Sequence, residues 1–205
     1  MTTETFESKN RARGRPREFD ADAALDKALA VFSERGYHAA SISELTEAME
    51  LASGSVYKAF KDKRGIFLAA FDRYRKVRRS ILDARLTTVE TGREKVREVL
   101  AYYAASSHGE SGRRGCLVVG SANELAIFDE EAAERVATAF DANEKLILDL
   151  VRLGQADGSI STAIDSETTA RALLCLTKGM RVVGKTGRTE NDMASVAEAA
   201  MRLLG

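Results

Sequence analysis

Apolar residues recur at helical spacing along most of this chain. The first stripe begins behind a capping residue, Asp20, and stops at Gly36, the residue type that commonly terminates a helix. The single proline is Pro16, so residues 17–205 lack the strongest helix breaker, while alanine, leucine, glutamate and arginine abound. The same periodicity along the chain predicts about nine helices and an all-α fold.

Two short helical patterns separated by a tight turn occupy residues 41–60. Ser41 and Glu44 form a capping box at the start of the first, and Ser53 is predicted to cap the second. The outer face of the second helix is polar and cationic, as in a helix that reads the major groove of DNA; it carries Ser53, Ser55, Tyr57 and Lys58. An ordinary helical hairpin with a solvated outer face explains the same pattern.

Residues 1–19 are low in apolar content and are predicted to form a flexible basic arm. Arg11, Arg13, Arg15 and Arg17 surround Gly14 and Pro16, and the core R-G-R-P looks like an AT-hook. Arginines on an extended backbone can enter a narrow minor groove, where the negative potential is enhanced. A solvated tail that adds only nonspecific attraction is the alternative.

The 205-residue chain has a formal net charge of zero, which argues against wholesale coating of nucleic acid. The charge is uneven, however, because residues 1–80 hold 16 Lys and Arg against 12 Asp and Glu, while residues 81–205 hold 15 against 19. The basic surplus therefore falls on the half that carries the two short helices.

Several classes of protein are disfavoured by what the sequence lacks. It has no run of 18 apolar residues and no apolar core near its start of the kind a secretory signal needs, so we expect a cytoplasmic protein without membrane association. Cys116 and Cys175 have neither metal-ligand spacing nor the density of a disulfide scaffold. His38 and His108 lie seventy residues apart, and the sequence reveals no serine, cysteine or carboxylate at a catalytic spacing from them. We expect no enzymatic activity, metal or cofactor.

Three segments, G-R-P-R-E-F-D, F-S-E-R-G-Y-H-A-A-S-I-S-E-L and G-S-V-Y-K-A-F-K-D-K-R-G-I-F, resemble the N-terminal domain of the tetracycline-repressor (TetR/AcrR) family over roughly residues 15–71. The resemblance implies a three-helix DNA-binding domain in which Tyr57 lies where the family often has a phosphate-contacting tyrosine. Two positions depart from the family pattern, Glu50 in place of glycine at the turn and Ala52 in place of serine or threonine. With the arm, the implied DNA contacts are Arg13, Arg15, Arg17, Ser43, Ser53, Gly54, Ser55, Tyr57, Lys58 and Lys63.

The predicted organisation is an arm over residues 1–19, a helix-turn-helix domain over 20–66 and an effector-binding and dimerisation domain over 67–205. In the family the last two long helices pair with their copies in a four-helix dimer interface. Small and apolar residues suited to such packing occupy those helices here, although packing inside one subunit explains them equally well: Ala170, Leu173, Leu174, Thr177, Val196, Ala197 and Ala200.

Cys116 is the sharpest candidate for chemistry in the second domain. Arg113 and Arg114 precede it and a helix begins beside it, and both features favour the thiolate. The segment R-G-C-L also resembles a TetR subgroup that includes electrophile- and oxidant-responsive repressors. A small buried packing residue is the alternative. Further aromatic and apolar residues are candidates for the wall of an effector cavity, with core packing as the alternative: Tyr102, Tyr103, Phe128, Phe140 and Met180.

The segment Gly179–Thr186 matches the phosphate-loop pattern G-x-x-x-x-G-K-[ST]. A phosphate loop needs a buried strand before it and a downstream sheet, whereas the preceding residues have a helical pattern and only 19 residues follow Thr186, so nucleotide binding is disfavoured.

The helix-turn-helix pattern and the family resemblance together predict a ligand- or redox-responsive dimeric transcriptional regulator, a repressor that binds a palindromic operator. The alternatives are a nonspecific helical architectural protein on DNA and a nucleotide-binding protein.

Overall fold

A computed structural model describes residues 19–127 and 129–205. The regular structure of these residues is entirely helical, which confirms the all-α prediction. The short α6 was not predicted, because six polar and glycine residues carry no apolar period. The α-helices are α1 (Ala21–Ala39), α2 (Ile42–Ala48), α3 (Ser53–Phe60), α4 (Lys63–Leu86), α5 (Gly92–Ala105), α6 (Gly109–Arg114), α7 (Leu117–Glu124), α8 (Glu130–Asp157), α9 (Ser166–Val183) and α10 (Glu190–Ala200), with 3₁₀ turns at Gly184–Thr186 and Met201–Leu204.

Side-chain caps begin most helices of the N-terminal half. The Asp20 carboxylate accepts from two amides of α1, and the capping box of Ser41 and Glu44 is present at α2. Asp62 caps α4 by accepting from the amide of Gly65 at 2.7 Å. The prediction that Ser53 caps α3 is wrong: the chain turns into the helix one residue earlier, at Ala52, which has no side-chain acceptor.

One buried core joins α1–α4 to α7 and the first half of α8. Phe32, at 2% exposure, packs edge-to-face on Phe67 with ring centroids 5.1 Å apart, and Val56 of α3 is 1% exposed. Leu117 and Val136 belong to the same cluster. The core therefore continues across residue 66, and the division into domains at that point stays a prediction.

A second core lies among α5, the second half of α8, α9 and α10, with Leu100, Val151 and Leu173 at its centre. α5 and α8 cross closely, since a Cβ on Gly92 would lie 2.1 Å from the backbone nitrogen of Gly154.

Most residues assigned to a dimer interface belong instead to this second core, inside one subunit. The apolar period marks the face of each helix turned toward its own subunit, because that face packs on α5 and α8. The buried members are Ala170, Leu173, Thr177, Ala197 and Ala200, and the half-buried members are Leu174 and Val196.

The phosphate-loop pattern at Gly179–Thr186 is helical. Its first half is the last turn of α9, and Gly184–Thr186 is a 3₁₀ turn that packs on α6. A Cβ on Gly184 would lie 2.2 Å from the carbonyl oxygen of Ser107, so this glycine allows close packing and does not cradle a phosphate. The segment therefore does not have the backbone geometry of a phosphate loop. Within the described ranges, no helix combines the length and apolarity that crossing a membrane requires.

Candidate DNA-binding surface and effector cavity

The outer face of α3 is polar and exposed. Val56 anchors the helix in the first core, whereas the Tyr57 side chain next to it is 51% exposed. Ser43 of α2 is exposed on the neighbouring helix. The remaining residues of α3 assigned to DNA contact are also exposed: Ser53, Gly54, Ser55 and Lys58. Hydroxyls and one ammonium thus project from a helix that the core holds rigidly, as groove reading requires.

The turn between α2 and α3 has a left-handed residue that is not glycine. Glu50 has φ 56°, a conformation that costs a non-glycine residue on the order of 1 kcal/mol or more. Its carboxylate lies 2.7 Å from the Lys27 ammonium of α1. The departure from glycine therefore leaves the left-handed turn in place.

Lys63, assigned to a phosphate, already has three acceptors inside the chain. Its ammonium donates to the carbonyls of Tyr37 and Ala40 at 3.0 Å each and to that of His38 at 3.4 Å, and it lies 4.6 Å from the Tyr37 ring centroid. These bonds tie the end of α1 to the start of α4. A phosphate contact by Lys63 would have to displace one of them.

Two polar links join the helix-turn-helix region to the helices behind it. The Arg64 guanidinium, at the start of α4, binds both carboxylate oxygens of Asp129, the N-cap of α8, and also lies 2.7 Å from Glu131. The hydrogen bond from Arg64 holds the pKa of Asp129 at about 2. In the second link, the Tyr37 amide donates to the Glu124 carboxylate at 3.0 Å.

A cavity of about 330 Å³ lies between α4, α5, α8, α9 and the start of α7. Its volume is at the lower end of the range for small-molecule sites. The wall combines aromatic, cationic and apolar side chains with one thiol, and includes Tyr74, Arg78, Leu82, Tyr102, Tyr103, Cys116, Val118, Ala139, Asn143 and Lys178.

Cys116 is the N-cap of α7 and half-buried, and its sulfur accepts a hydrogen bond from the Tyr74 hydroxyl at 3.4 Å. Burial by itself raises the pKa of the Cys116 thiol, whereas the hydrogen bond from Tyr74 and the charge of Arg181 lower it. The Val119 amide and the Lys178 charge act in the same direction, so the pKa lies below the ordinary value.

The cations that favour the thiolate are not those next to it in sequence. Arg113 and Arg114 are exposed, and Arg114 pairs with Glu110 and Glu34. Arg181 and Lys178 come instead from α9, more than sixty residues away.

Only some of the other residues assigned to the cavity line it. Tyr103 lines it, and its hydroxyl accepts from Lys178 at 2.9 Å. The Phe140 ring lies 5.8 Å from the same ammonium without forming part of the wall. Met180 belongs to the second core at 3% exposure, so its assignment to the cavity is wrong. Phe128, like Arg13, Arg15 and Arg17 of the arm, lies outside the described residues.

Comparison with known proteins matches both halves of the chain to family models. Residues 24–70 match the model for bacterial regulatory proteins of the tetR family, and residues 92–200 match the tetracyclin repressor-like C-terminal domain. The chain belongs to the TetR family. It is therefore a helix-turn-helix, DNA-binding transcriptional regulator and not an enzyme.

Similar TetR-family proteins cover nearly the whole chain. The HTH-type transcriptional repressor ComR of Escherichia coli is 29% identical over 207 residues, covering 99% of this chain and 97% of that protein. A cysteine mutant of the TetR-family regulator CifR, solved with 26-base-pair operator DNA, is 32% identical, with a TM-score of 0.81 over 94% of this chain and all of that one. The regulator AcuR of Cereibacter sphaeroides is 28% identical over 170 residues, which cover 80% of this chain and 76% of AcuR.

The exposed residues of α9 and α10 are not the residues that apolar spacing predicted for a dimer interface. Along α9, residues that are small or β-branched repeat on the exposed side: Thr168, Ala172, Cys175, Gly179 and Val182, of which Gly179 is half-buried. α10 and the turn after it add Ser195, Ala199 and Leu203. Cys175, in the α9 part of this stripe, is an exposed free thiol.

Proposed function

We propose that the chain is a homodimeric repressor that binds a palindromic operator through α3 of each subunit and releases it when its C-terminal cavity is occupied or Cys116 is modified. The exposed, polar and cationic face of α3 on a rigid core carries the DNA-binding part of this proposal. The arm, with Arg13, Arg15 and Arg17, would add minor-groove contacts. A regulator of this kind acts in the cytoplasm.

Two observations support dimerisation and communication between the regions. The small, exposed stripe on α9 allows two helices to approach closely, and Val182 and Leu203 are 49% and 42% exposed on the same pair of helices. The links from Arg64 and Tyr37 to Asp129 and Glu124 connect each DNA-binding unit to helices beside the cavity. A change at the cavity would alter the tilt of both α3 helices. Affinity for the operator would then fall, because the two helices could no longer bind successive major grooves at the same time.

Replacement of Lys58 by alanine tests the DNA-binding face. Loss of one phosphate contact is expected to weaken binding to a selected operator about tenfold and to reduce the slope of log K against log salt by about one. Lys145→Ala is the matched control, because Lys145 is exposed on α8 and pairs with Asp149. Titrations by fluorescence anisotropy at four salt concentrations measure both quantities.

If the Lys58 variant kept the affinity and the salt slope of the parent protein, the proposed contact of α3 with DNA would be rejected. An equally tight complex of the parent protein with bulk DNA at matched salt would instead indicate a nonspecific architectural protein.

Cys116→Ser tests the redox part of the proposal. Hydrogen peroxide converts a thiolate to a sulfenate by transferring one oxygen to sulfur, and the peroxide is reduced to water. We expect peroxide to release the parent protein from operator DNA and to leave the serine variant bound, as followed by anisotropy. Release of the variant at the same peroxide concentration contradicts a sensor role for Cys116, with Cys175→Ser as the control for the second thiol.

A further inference from the structure

Three cations meet beside the cavity without an opposing carboxylate. Arg78 of α4 donates to the Ser106 hydroxyl at 2.8 Å and lies over the Tyr102 ring at 4.5 Å. Lys178 of α9 lies over the Tyr103 ring at 4.6 Å. Neither residue forms an ion pair within residues 19–127 and 129–205, and the same holds for Arg181.

Arg181 is the most deeply buried of the three, at 2% exposure. Its Nη2 donates to the carbonyls of Gly115 and Ser111, while Nε and Nη1 have no hydrogen-bond partner among the described residues. A buried guanidinium with unpaired N–H groups costs free energy unless negative charge lies near it. Arg181 lines a smaller cavity of about 180 Å³, and Tyr74 and Arg78 line both cavities.

Nearby carboxylates are committed to other arginines. Asp72, on the rim of the larger cavity, pairs with Arg135, and Asp26, on the smaller one, pairs with Arg73. The acidic groups that act on Arg78 are three tyrosines and Cys116. A single thiolate offsets only one of three positive charges.

We propose that the cavity binds a small organic anion, a carboxylate on a flat apolar body, with the carboxylate against Lys178 and Arg78. Leu82, Val118 and Ala139 supply apolar wall, and the tyrosine rings suit a flat ligand. The ammonium of Lys178 uses one donor on Tyr103 and retains two for the ligand. As an assignment of effector class, this inference rests on the proposed function.

The affinity for the anion falls as pH rises from 7 to 9. Burial lowers the pKa of Lys178 to about 8, so its ammonium is lost across this interval. Arg78 stays charged. Tyr103, whose pKa burial raises to about 12, and Tyr74, whose pKa burial also raises, stay neutral. From α8, the uncharged Phe140 ring lies 5.8 Å from the Lys178 ammonium.

Calorimetric titration of the full chain with sodium benzoate and with benzamide tests the charge preference. The two probes have similar shape, and ionic strength is held constant with sodium chloride. We expect benzoate to bind at least tenfold more tightly than benzamide, and Lys178→Met to remove that preference. Lys178→Arg is expected to keep it, as is Lys145→Met on the exposed face of α8. Circular dichroism shows that each variant is folded.

Equal binding of the two probes, no binding of either, or an undiminished preference in Lys178→Met would overturn the anion site. The same samples titrated onto operator DNA separate this inference from the proposed function. Release by benzoate supports both, whereas release by an uncharged compound alone leaves a ligand-controlled regulator and rejects the anionic class. Failure to bind any DNA rejects the proposed function, while the calorimetric preference still reports the anion site.

Discussion

An arginine in place of Ala172 is expected to convert the protein to a monomer and to weaken operator binding by about 100-fold or more. Ala172 belongs to the exposed stripe on α9, so in the proposed dimer the new charge would have to be buried between two closely packed helices. A dimer gains affinity because its second half binds at high effective concentration, which is worth 10²–10⁴. Analytical ultracentrifugation and anisotropy titrations measure the two effects.

Ala137→Arg is the matched control, since Ala137 is an exposed alanine in the first half of α8, outside the exposed stripe of α9 and α10. Both variants should retain the helical circular dichroism of the parent chain, because neither position is in a core. A dimer of unchanged stability in the Ala172 variant would place the interface elsewhere.

Replacement of Gly65 by alanine is expected to lower the free energy of unfolding by about 3 kcal/mol and to abolish specific DNA binding. A Cβ at this position would lie 1.9 Å from the carbonyl oxygen of Phe60, the last residue of α3. The obstacle is backbone, so α3 must move relative to α4. Lys61, between the two helices, already has φ 69° and leaves little room for adjustment.

Gly120→Ala provides the comparison for Gly65→Ala. A Cβ on Gly120, within α7, meets no atom within 4 Å, and alanine is favoured over glycine inside a helix by about 0.5–1 kcal/mol. Urea unfolding should therefore give opposite signs for the two substitutions. A Gly65 variant as stable as the parent and fully active on operator DNA would show that α3 tolerates displacement.

The helix-turn-helix region, α1–α4, was predictable because the sequence signals that define its helices are local. Asp20, Ser41 and Asp62 each cap the helix that follows, and the period of Val56 and Phe60 distinguishes the inner from the outer face of α3. Caps and periodicity depend on residues within four positions of one another, so a single sequence reveals them.

The proposed dimer face and the residues around the cavity could not be predicted, because local patterns do not contain the information that decides them. Leu173 and Thr177 have the apolar spacing of an interface, but whether that face meets a partner or α5 is decided by tertiary packing. Similarly, Arg113 is beside Cys116 in sequence and points outward, whereas Lys178 and Arg181 reach the thiol from α9. The available signal for these two residues was a pair of cations three positions apart in the otherwise uncharged second half of α9.

Selection from random-sequence duplexes followed by hydroxyl-radical footprinting tests the central claim most directly. A dimer that places two copies of α3 in successive major grooves predicts an enriched palindrome, protected at two half-sites about 34–36 Å apart or a multiple of that spacing, on one face of the DNA. Protection should disappear in Ala172→Arg at the same protein concentration. Enrichment of no sequence at low salt, or uniform protection without half-sites, would contradict the account.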